Sequence, residues 1–144
     1  MAGSCKWYGN ALVKALSGEI NFFGSPIMVM LCTSGYALDQ DVHAYKSSVT
    51  NEVVGVGYTA GGQELQGKSI TYSPSSNMIT VTGATVSWDS SVLQARYAVL
   101  YCATGNDATS ALLGYVDFAL NETSSGGPFT IAWDPAGIFT LTVA

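Results

Sequence analysis

The chain has 144 residues, which suits one domain with a core large enough to fold without disulfides or metal. Charged residues make up only 10%, well below the roughly 25% typical of soluble domains. The formal charge of -5 comes without any basic cluster, which argues against nucleic acid as a partner. The longest strongly apolar stretches, at residues 27–32 and 95–103, are far shorter than the roughly 20 residues that cross a bilayer, so no membrane partner is expected.

Residues 1–20 are predicted to form an N-terminal arm or a short helix. Helical spacing of apolar residues favours the helix, whereas Gly9 and Gly18 leave an extended arm as the alternative. Trp7 and Tyr8 are two large aromatic residues side by side, which a short arm alone would not bury. We therefore predict that Lys6, Trp7 and Tyr8 contact a neighbouring subunit; the alternative is that they fold back onto the core of their own chain.

The next two elements are a strand and a helix. Ile27–Cys32 is a continuous apolar, β-rich run, which is typical of a central strand covered on both faces. Residues 39–48 are the best helix candidate, with Asp39 as N-cap and with Val42 and Tyr45 three positions apart. A stretch with four glycines follows at residues 53–65; it lacks the Lys-Ser or Lys-Thr of a phosphate-binding loop and is predicted to be a mobile or irregular connection.

From residue 66 onward the pattern is that of antiparallel strands joined by short turns. Ser69–Ser73 and Met78–Thr82 flank a four-residue loop, which would set Tyr72 opposite Ile79 and Ile70 opposite Val81. Residues 84–88 then alternate apolar and polar side chains, as a strand with one wet face does.

A second hairpin is predicted between residues 95–102 and 111–119. If Cys102 pairs with Ala111, Arg96 lies opposite Asp117 and Tyr97 lies opposite Val116. We interpret Arg96 and Asp117 as a structural ion pair that fixes the strand register, with no part in catalysis.

A last hairpin is predicted between Phe129–Trp133 and residues 138–143, with Trp133 facing Phe139 and Ile131 facing Leu141. Together the elements predict an all-β fold, an antiparallel β-sandwich or barrel-like domain spanning residues 1–144, with one to three short helices in its N-terminal half.

No catalytic or metal-binding constellation is predicted. His43 is the one histidine, and no nucleophile elbow accompanies it. Asp39, Asp41 and His43 alternate, but a calcium loop would need Gly at position 44 and Glu at position 50, which are Ala and Thr. Three cysteines lie too far apart for zinc spacing, and their odd number favours buried thiols in a protein assembled in a reducing cytoplasm. We therefore expect no metal, no cofactor and no enzymatic activity.

Five segments carry a family resemblance: KWYGNALVKALSGEI, IMVMLCTSGYALDQDVHAYKSSVTNEVVGVGYTAGGQEL, ARYAVLYCAT, LLGYVDF and FTIAWDPAGIFTLTVA. They resemble small virion structural proteins of tailed bacteriophages over nearly the whole chain. The resemblance implies a head decoration or cement protein that contacts the major capsid protein, other virion subunits or copies of itself, in a virion assembled in the host bacterial cytoplasm. A tail-associated component is the alternative within this class.

A carbohydrate-binding β-sandwich module is the alternative from another class. Such a module needs two or three coplanar exposed rings, for which the candidates are Trp7, Tyr8, Trp88 and Trp133. The predicted registers turn Trp88 and Trp133 inward, so the sequence favours the structural protein.

Overall fold

The computed structural model describes residues 2–3 and 5–143. Within them lie the α-helix α1 (Ala11–Leu16) and a 3₁₀ helix (Lys46–Ser48). The strands are β1 (Ala2–Gly3), β2 (Lys6–Trp7), β3 (Ile27–Cys32), β4 (Gln63–Glu64), β5 (Ser69–Ser73), β6 (Met78–Thr82), β7 (Val86–Trp88), β8 (Val92–Cys102), β9 (Leu112–Ser125), β10 (Phe129–Trp133) and β11 (Phe139–Thr142).

The described strands form three sheets, and the predicted all-β class is confirmed. The largest sheet has the order β2-β9-β8-β3-β4, and two three-stranded sheets have the orders β1-β10-β7 and β11-β6-β5. Neighbouring strands are antiparallel except for the parallel pair β1 and β10.

One apolar core joins the three sheets. It contains Leu31 of the five-stranded sheet, Ile131 of the β10 sheet and Phe139 of the β11 sheet, each buried. The other face of β3 packs into a second cluster through Met30 and Cys32. The prediction of a strand covered on both faces is therefore confirmed for Ile27–Cys32.

The hairpin of β5 and β6 has the predicted register, with Tyr72 facing Ile79 and Ile70 facing Val81. The alternation in β7 is also confirmed, because Val86 and Trp88 are buried.

The predicted helix over residues 39–48 is wrong. Asp39 does cap, since its Oδ1 accepts the N–H groups of Asp41 and Val42, both at 3.0 Å, but a turn follows, and the only helical part of the predicted range is the 3₁₀ helix Lys46–Ser48. The chain then extends so that the Ala44 carbonyl accepts the N–H of Leu112, at 2.9 Å. Pairing with the distant β9 segment overrides a weak local helix preference.

The last predicted hairpin is also wrong. The turn over residues 134–137 forms, with the Gly137 N–H donating to the Asp134 carbonyl at 2.8 Å. However, β10 pairs with β1 and β7, whereas β11 pairs with β6 in another sheet. The turn is a corner between two sheets, so Trp133 does not face Phe139.

The predicted register of β8 and β9 holds only at its start. Tyr101 faces Leu112, but Leu100 faces Gly114, so Leu113 is an extra residue and Tyr97 faces Asp117 instead of Val116. The bulge arises because Leu112 and Tyr115, three positions apart, both point into the second cluster. An extra residue is needed to bring both side chains to the same face.

Candidate binding site

An apolar pocket of about 190 Å³ lies between α1 and the β11-β6-β5 sheet. The lining residues in the described part of the chain are apolar: Trp7, Leu12, Ala15, Ile20, Phe22, Ile70, Ile79, Val81, Leu113, Phe139 and Leu141. Because the described residues contribute no polar side chain to its wall, the pocket selects for an apolar group and gives it no hydrogen-bonded orientation.

The volume limits what the pocket accepts. Small-molecule sites usually span roughly 300–1,000 Å³, whereas an apolar cavity of about 150 Å³ holds one benzene. A pocket of about 190 Å³ therefore fits a single ring or one large apolar side chain rather than a cofactor.

The deep wall of the pocket is built by an aromatic stack. The ring centroids of Trp7 and Phe139 lie 4.1 Å apart, and the angle between the two ring planes is 19°. Pairing of β2 with β9 sets Trp7 opposite Gly114, and a Cβ at Gly114 would overlap the ring of Phe139. The stack therefore depends on a glycine at position 114.

Leu12 and Ile70 line the pocket and are partly exposed, and the exposed Leu16 and Phe23 directly follow the lining residues Ala15 and Phe22; we call Leu12, Leu16, Phe23 and Ile70 the apolar rim. Leu16 follows Leu12 by one helical turn on α1 and is 90% exposed. Phe23 is 61% exposed and its ring packs edge-on against Phe22 in the pocket wall, at 5.3 Å. The pocket thus opens onto an apolar surface.

Charged groups near the rim are engaged within the chain. The Lys68 ammonium donates to the carbonyls of Phe22 and Ser25 at 2.8 and 3.1 Å, which anchors the segment that carries Phe23. Lys14 lies 3.4 Å from Glu19. The hydroxyl of Tyr45 donates to Glu19 at 2.7 Å and, with Lys14, lowers the pKa of that carboxyl.

The structure separates the three residues predicted to contact a neighbour. Lys6 is exposed and Trp7 is half-buried in the pocket wall, but Tyr8 is only 1% exposed and its hydroxyl lies 2.9 Å from that of Tyr36. Tyr8 folds into the second cluster of its own chain, as the alternative predicts, whereas Trp7 is only half-buried. A contact through Lys6 and Trp7 stays a prediction.

Arg96 and Asp117 form a two-point ion pair away from the pocket. Their Nε–Oδ1 and Nη2–Oδ2 distances are 2.8 and 3.4 Å, and the guanidinium lowers the pKa of the Asp117 carboxyl. The pair lies where β9 carries extra residues: Ala95 faces Glu122 and Tyr97 faces Asp117, so two steps on β8 match five on β9. Arg96 lies within this irregular stretch and Asp117 lies at its end, so the ion pair links the two strands where their regular pairing is interrupted.

His43 ends a chain of hydrogen-bonded side chains. The hydroxyl of Tyr36 lies 2.9 Å from that of Tyr8 and 2.8 Å from Nδ1 of His43. Burial raises the pKa of Tyr36 to about 12, so this phenol stays protonated at neutral pH. These hydrogen bonds hold the loop of residues 36–43 against the sheet.

Among residues 2–3 and 5–143, no group of three or more His, Cys, Asp or Glu side chains is placed to hold a metal ion.

The glycine-rich segment is irregular but well anchored. Glu52 Oε1 accepts the hydroxyl of Tyr58 at 2.8 Å and the N–H of Gly61 at 2.6 Å, and the Tyr101 hydroxyl donates to the Gly61 carbonyl at 2.7 Å. Gly62 has a φ of +83°, and a Cβ there would overlap the Val29 carbonyl. Gly62 therefore lets this segment approach the backbone of β3 closely, just before it pairs with β3 as β4.

Sequence reasoning missed most of the pocket. It singled out Trp7 but not Ile20, Phe22 or Leu113, which come together from the segment after α1 and from the β9 bulge. The available signal was the adjacent pair Phe22 and Phe23 just after an apolar helix pattern.

No helix in the described part of the chain is both long and apolar enough to span a membrane. Comparison of the sequence with protein-family models and with curated proteins, and of the fold with solved structures, gave no match.

Proposed function

We propose that the chain is a non-enzymatic structural subunit of a tailed-phage virion, acting as a head decoration or cement protein that binds neighbouring capsid subunits. The observation that carries the proposal is the apolar pocket with its exposed apolar rim. Contiguous exposed apolar surface commonly marks a protein interaction site. The resemblance of the sequence to small virion proteins supports the choice of the particle as the partner.

The size of the pocket suits an anchor residue. Interfaces draw much of their binding free energy from a few large side chains that fill pockets on the partner. Complete burial of one Leu or Phe side chain contributes roughly 1.5–3 kcal/mol. A partner side chain in the pocket, with Leu16 and Phe23 covered around it, would supply three such contributions at each copy of the subunit.

The scarcity of charge supports the same role. With 10% charged residues, most of the surface can be buried in an assembly without desolvating ions, which costs several kcal/mol per ion when they are not well paired. We further propose that the three sheets pack as a β-sandwich, with the five-stranded sheet as one layer and the two small sheets as the other, since all three contribute to one core.

The aromatic side chains give no support to a carbohydrate-binding role. Tyr8 and Trp88 are buried. The indole N–H groups of Trp7 and Trp133 donate to the backbone carbonyls of Thr140 and Ala84, at 3.3 and 2.9 Å. We therefore retain only the tail-associated location as an alternative.

The first test is the location of the protein in purified particles of its phage. We expect mass spectrometry to detect the chain in the virions and a cryo-EM difference map to place it on the outer capsid surface. Its absence from virions would overturn the proposal, and density on the tail would move it to the alternative location.

The second test uses two exposed apolar residues as a matched pair. Leu16 lies on the apolar rim and Val54 lies outside it, and they are 90% and 96% exposed. With particles that lack the protein, we expect Leu16→Asp to weaken binding about tenfold, equivalent to ~1.4 kcal/mol, and Val54→Asp to leave it unchanged. Circular dichroism of both variants checks folding. Equal binding by the two variants would contradict the assignment of the rim.

A further inference from the structure

Strand β5 is an uncharged edge of its sheet. Within residues 2–3 and 5–143 it pairs only with β6, in the order β11-β6-β5, and its side chains are exposed or half-exposed. The sequence of β5, β6 and β11 contains no Asp, Glu, Lys, Arg or His. Natural sheets usually protect an edge with charge, proline or a bulge, because an unprotected edge accepts another strand. Within β5 none of these is present.

The register shows which backbone groups of β5 point outward. Residues of β6 alternate between their two neighbours, and the β11 side takes the odd-numbered ones: the carbonyls of Asn77 and Val81 accept N–H groups of Val143 and Ile138 at 2.8 and 2.7 Å. The even-numbered residues of β6 therefore bond to β5.

Those even-numbered residues face Ser69, Thr71 and Ser73. Ile70 and Tyr72, which face Val81 and Ile79, consequently direct their backbone N–H and C=O groups away from β6. Two donors and two acceptors thus line the free edge, alternating along it.

The edge is complementary to itself. We propose that β5 pairs antiparallel with β5 of a second copy of this chain, about a two-fold axis at Thr71. This register sets each Ile70 against Tyr72 of the other copy, in two pairs with four backbone hydrogen bonds. The same register sets Ser69 opposite Ser73 of the other copy. Because the segment Ser-Ile-Thr-Tyr-Ser has serine at both ends and threonine at its centre, the paired positions are chemically matched.

The side chains favour this occupant over an unrelated strand. Each new Ile70–Tyr72 pair joins a β-branched and an aromatic side chain, which is a favourable cross-strand combination. The pairs cover the exposed faces of Ile70 and Tyr72, which are 42% and 51% exposed. An isologous contact of this kind closes at two copies. The inference deepens the proposed function, on which it rests for its role in a particle, by naming one of the partners.

The test is sedimentation velocity of the full chain over a concentration series. In the proposed dimer the two Thr71 side chains face each other directly, with Cβ atoms ~4.5–5.5 Å apart. Thr71→Lys and Thr71→Asp each place like charges there, and we expect about tenfold weaker dimerisation for each. An equimolar mixture of the two variants should dimerise at least as well as the unchanged protein, because the charges are then opposite.

Thr140→Lys is the matched control. Thr140 faces Thr80, which faces Thr71, so all three lie on the same face of the sheet, but Thr140 is on the opposite edge strand. We expect this variant to dimerise like the unchanged protein. An unchanged protein that stays monomeric up to ~1 mM would overturn the proposal. So would a mixture of the Lys and Asp variants that fails to recover dimerisation, or equal effects at positions 71 and 140.

Hydrogen exchange provides a readout that needs no variant. The amides of Ile70 and Tyr72 should become protected as the concentration rises, and unchanged exchange across the dimerisation range would overturn the proposal. A failure of this proposal can be distinguished from a failure of the proposed function. The proposed function is tested by the binding of Leu16→Asp to particles, whereas self-pairing is tested by dimerisation of the isolated protein.

Discussion

Replacement of Gly114 by Ala tests how the pocket wall is built. Gly114 does not have a positive φ, so alanine is compatible with its backbone conformation and only space is at issue. The added Cβ would overlap the ring of Phe139 and would lie 2.5 Å from the carbonyl oxygen of Lys6. The ring is held by its stack on Trp7, and the carbonyl belongs to a paired strand, so neither can move freely.

Overpacking of this kind costs roughly 1–3 kcal/mol, and contact with a backbone atom places Gly114→Ala near the upper end. The entropy lost by the unfolded chain offsets about 0.4–1 kcal/mol, which leaves a net destabilisation of about 2 kcal/mol. For a chain of this length that lowers Tm by roughly 4–8 °C.

Gly127→Ala is the control, because Gly127 also lacks a positive φ and no atom of the described residues lies within 4 Å of the added Cβ. Urea denaturation should show Gly127→Ala to be neutral or slightly stabilising. If the two variants differ by less than about 0.5 kcal/mol, the steric argument for Gly114 is refuted.

Four further predictions concern stability. Ser124→Ala should lower the free energy of unfolding, measured by urea denaturation, by about 1–3 kcal/mol, because the Ser124 hydroxyl lies 2.7 Å from that of Ser91 and accepts the Leu93 N–H. Thr123→Ala is the exposed control, and equal losses in the two variants would contradict the reasoning. Burial raises the pKa values of Tyr36 and Tyr101 from 10.0 to about 12, so the folded chain keeps protons that the unfolded chain releases. The contribution of these two groups to stability should therefore be full below pH 10 and should fall as the pH rises toward 12. A Tm that is constant from pH 9 to 11.5 would count against this. A double-mutant cycle on Arg96 and Asp117 should give a small favourable coupling, as for other partly exposed pairs, whereas zero coupling would remove their structural role. Deletion of residues 1–8 should destabilise the fold by at least ~3 kcal/mol, since it removes the buried Tyr8 ring and the Trp7 stack; an unchanged Tm would show that these contacts are dispensable.

Local pattern was sufficient to predict elements whose partners are close in sequence. The β5–β6 hairpin has a four-residue loop, and its register follows directly from the alternation of Ile70 and Tyr72. The apolar run Ile27–Cys32 likewise predicted its own burial on both faces.

Elements whose partners are distant were predicted less well. The turn at residues 134–137 has a good hairpin sequence, but nothing local shows that β7 and β6 each leave an edge for a different strand. The bulge at Leu113 is hidden because a single extra residue changes the register without changing the composition. The pocket combines both difficulties, since its wall contains Trp7, Leu113 and Phe139 from three separate parts of the chain.

The pairing of β1 with β10 has a consequence for synthesis on the ribosome. Ala2 and Gly3 pair with Ala132 and Trp133, 130 positions later in the chain, and β2 can pair only after Gly114 and Tyr115 have been synthesised. At roughly 5–20 residues per second, the first strands stay without partners for roughly ten seconds while the rest is made. During that interval the rings of Trp7 and Tyr8 are available to chaperones or to another nascent chain. The N-terminal segment is thus synthesised long before its partners and is among the last to find its place, so substitutions that remove its buried contacts should speed unfolding more than they slow folding.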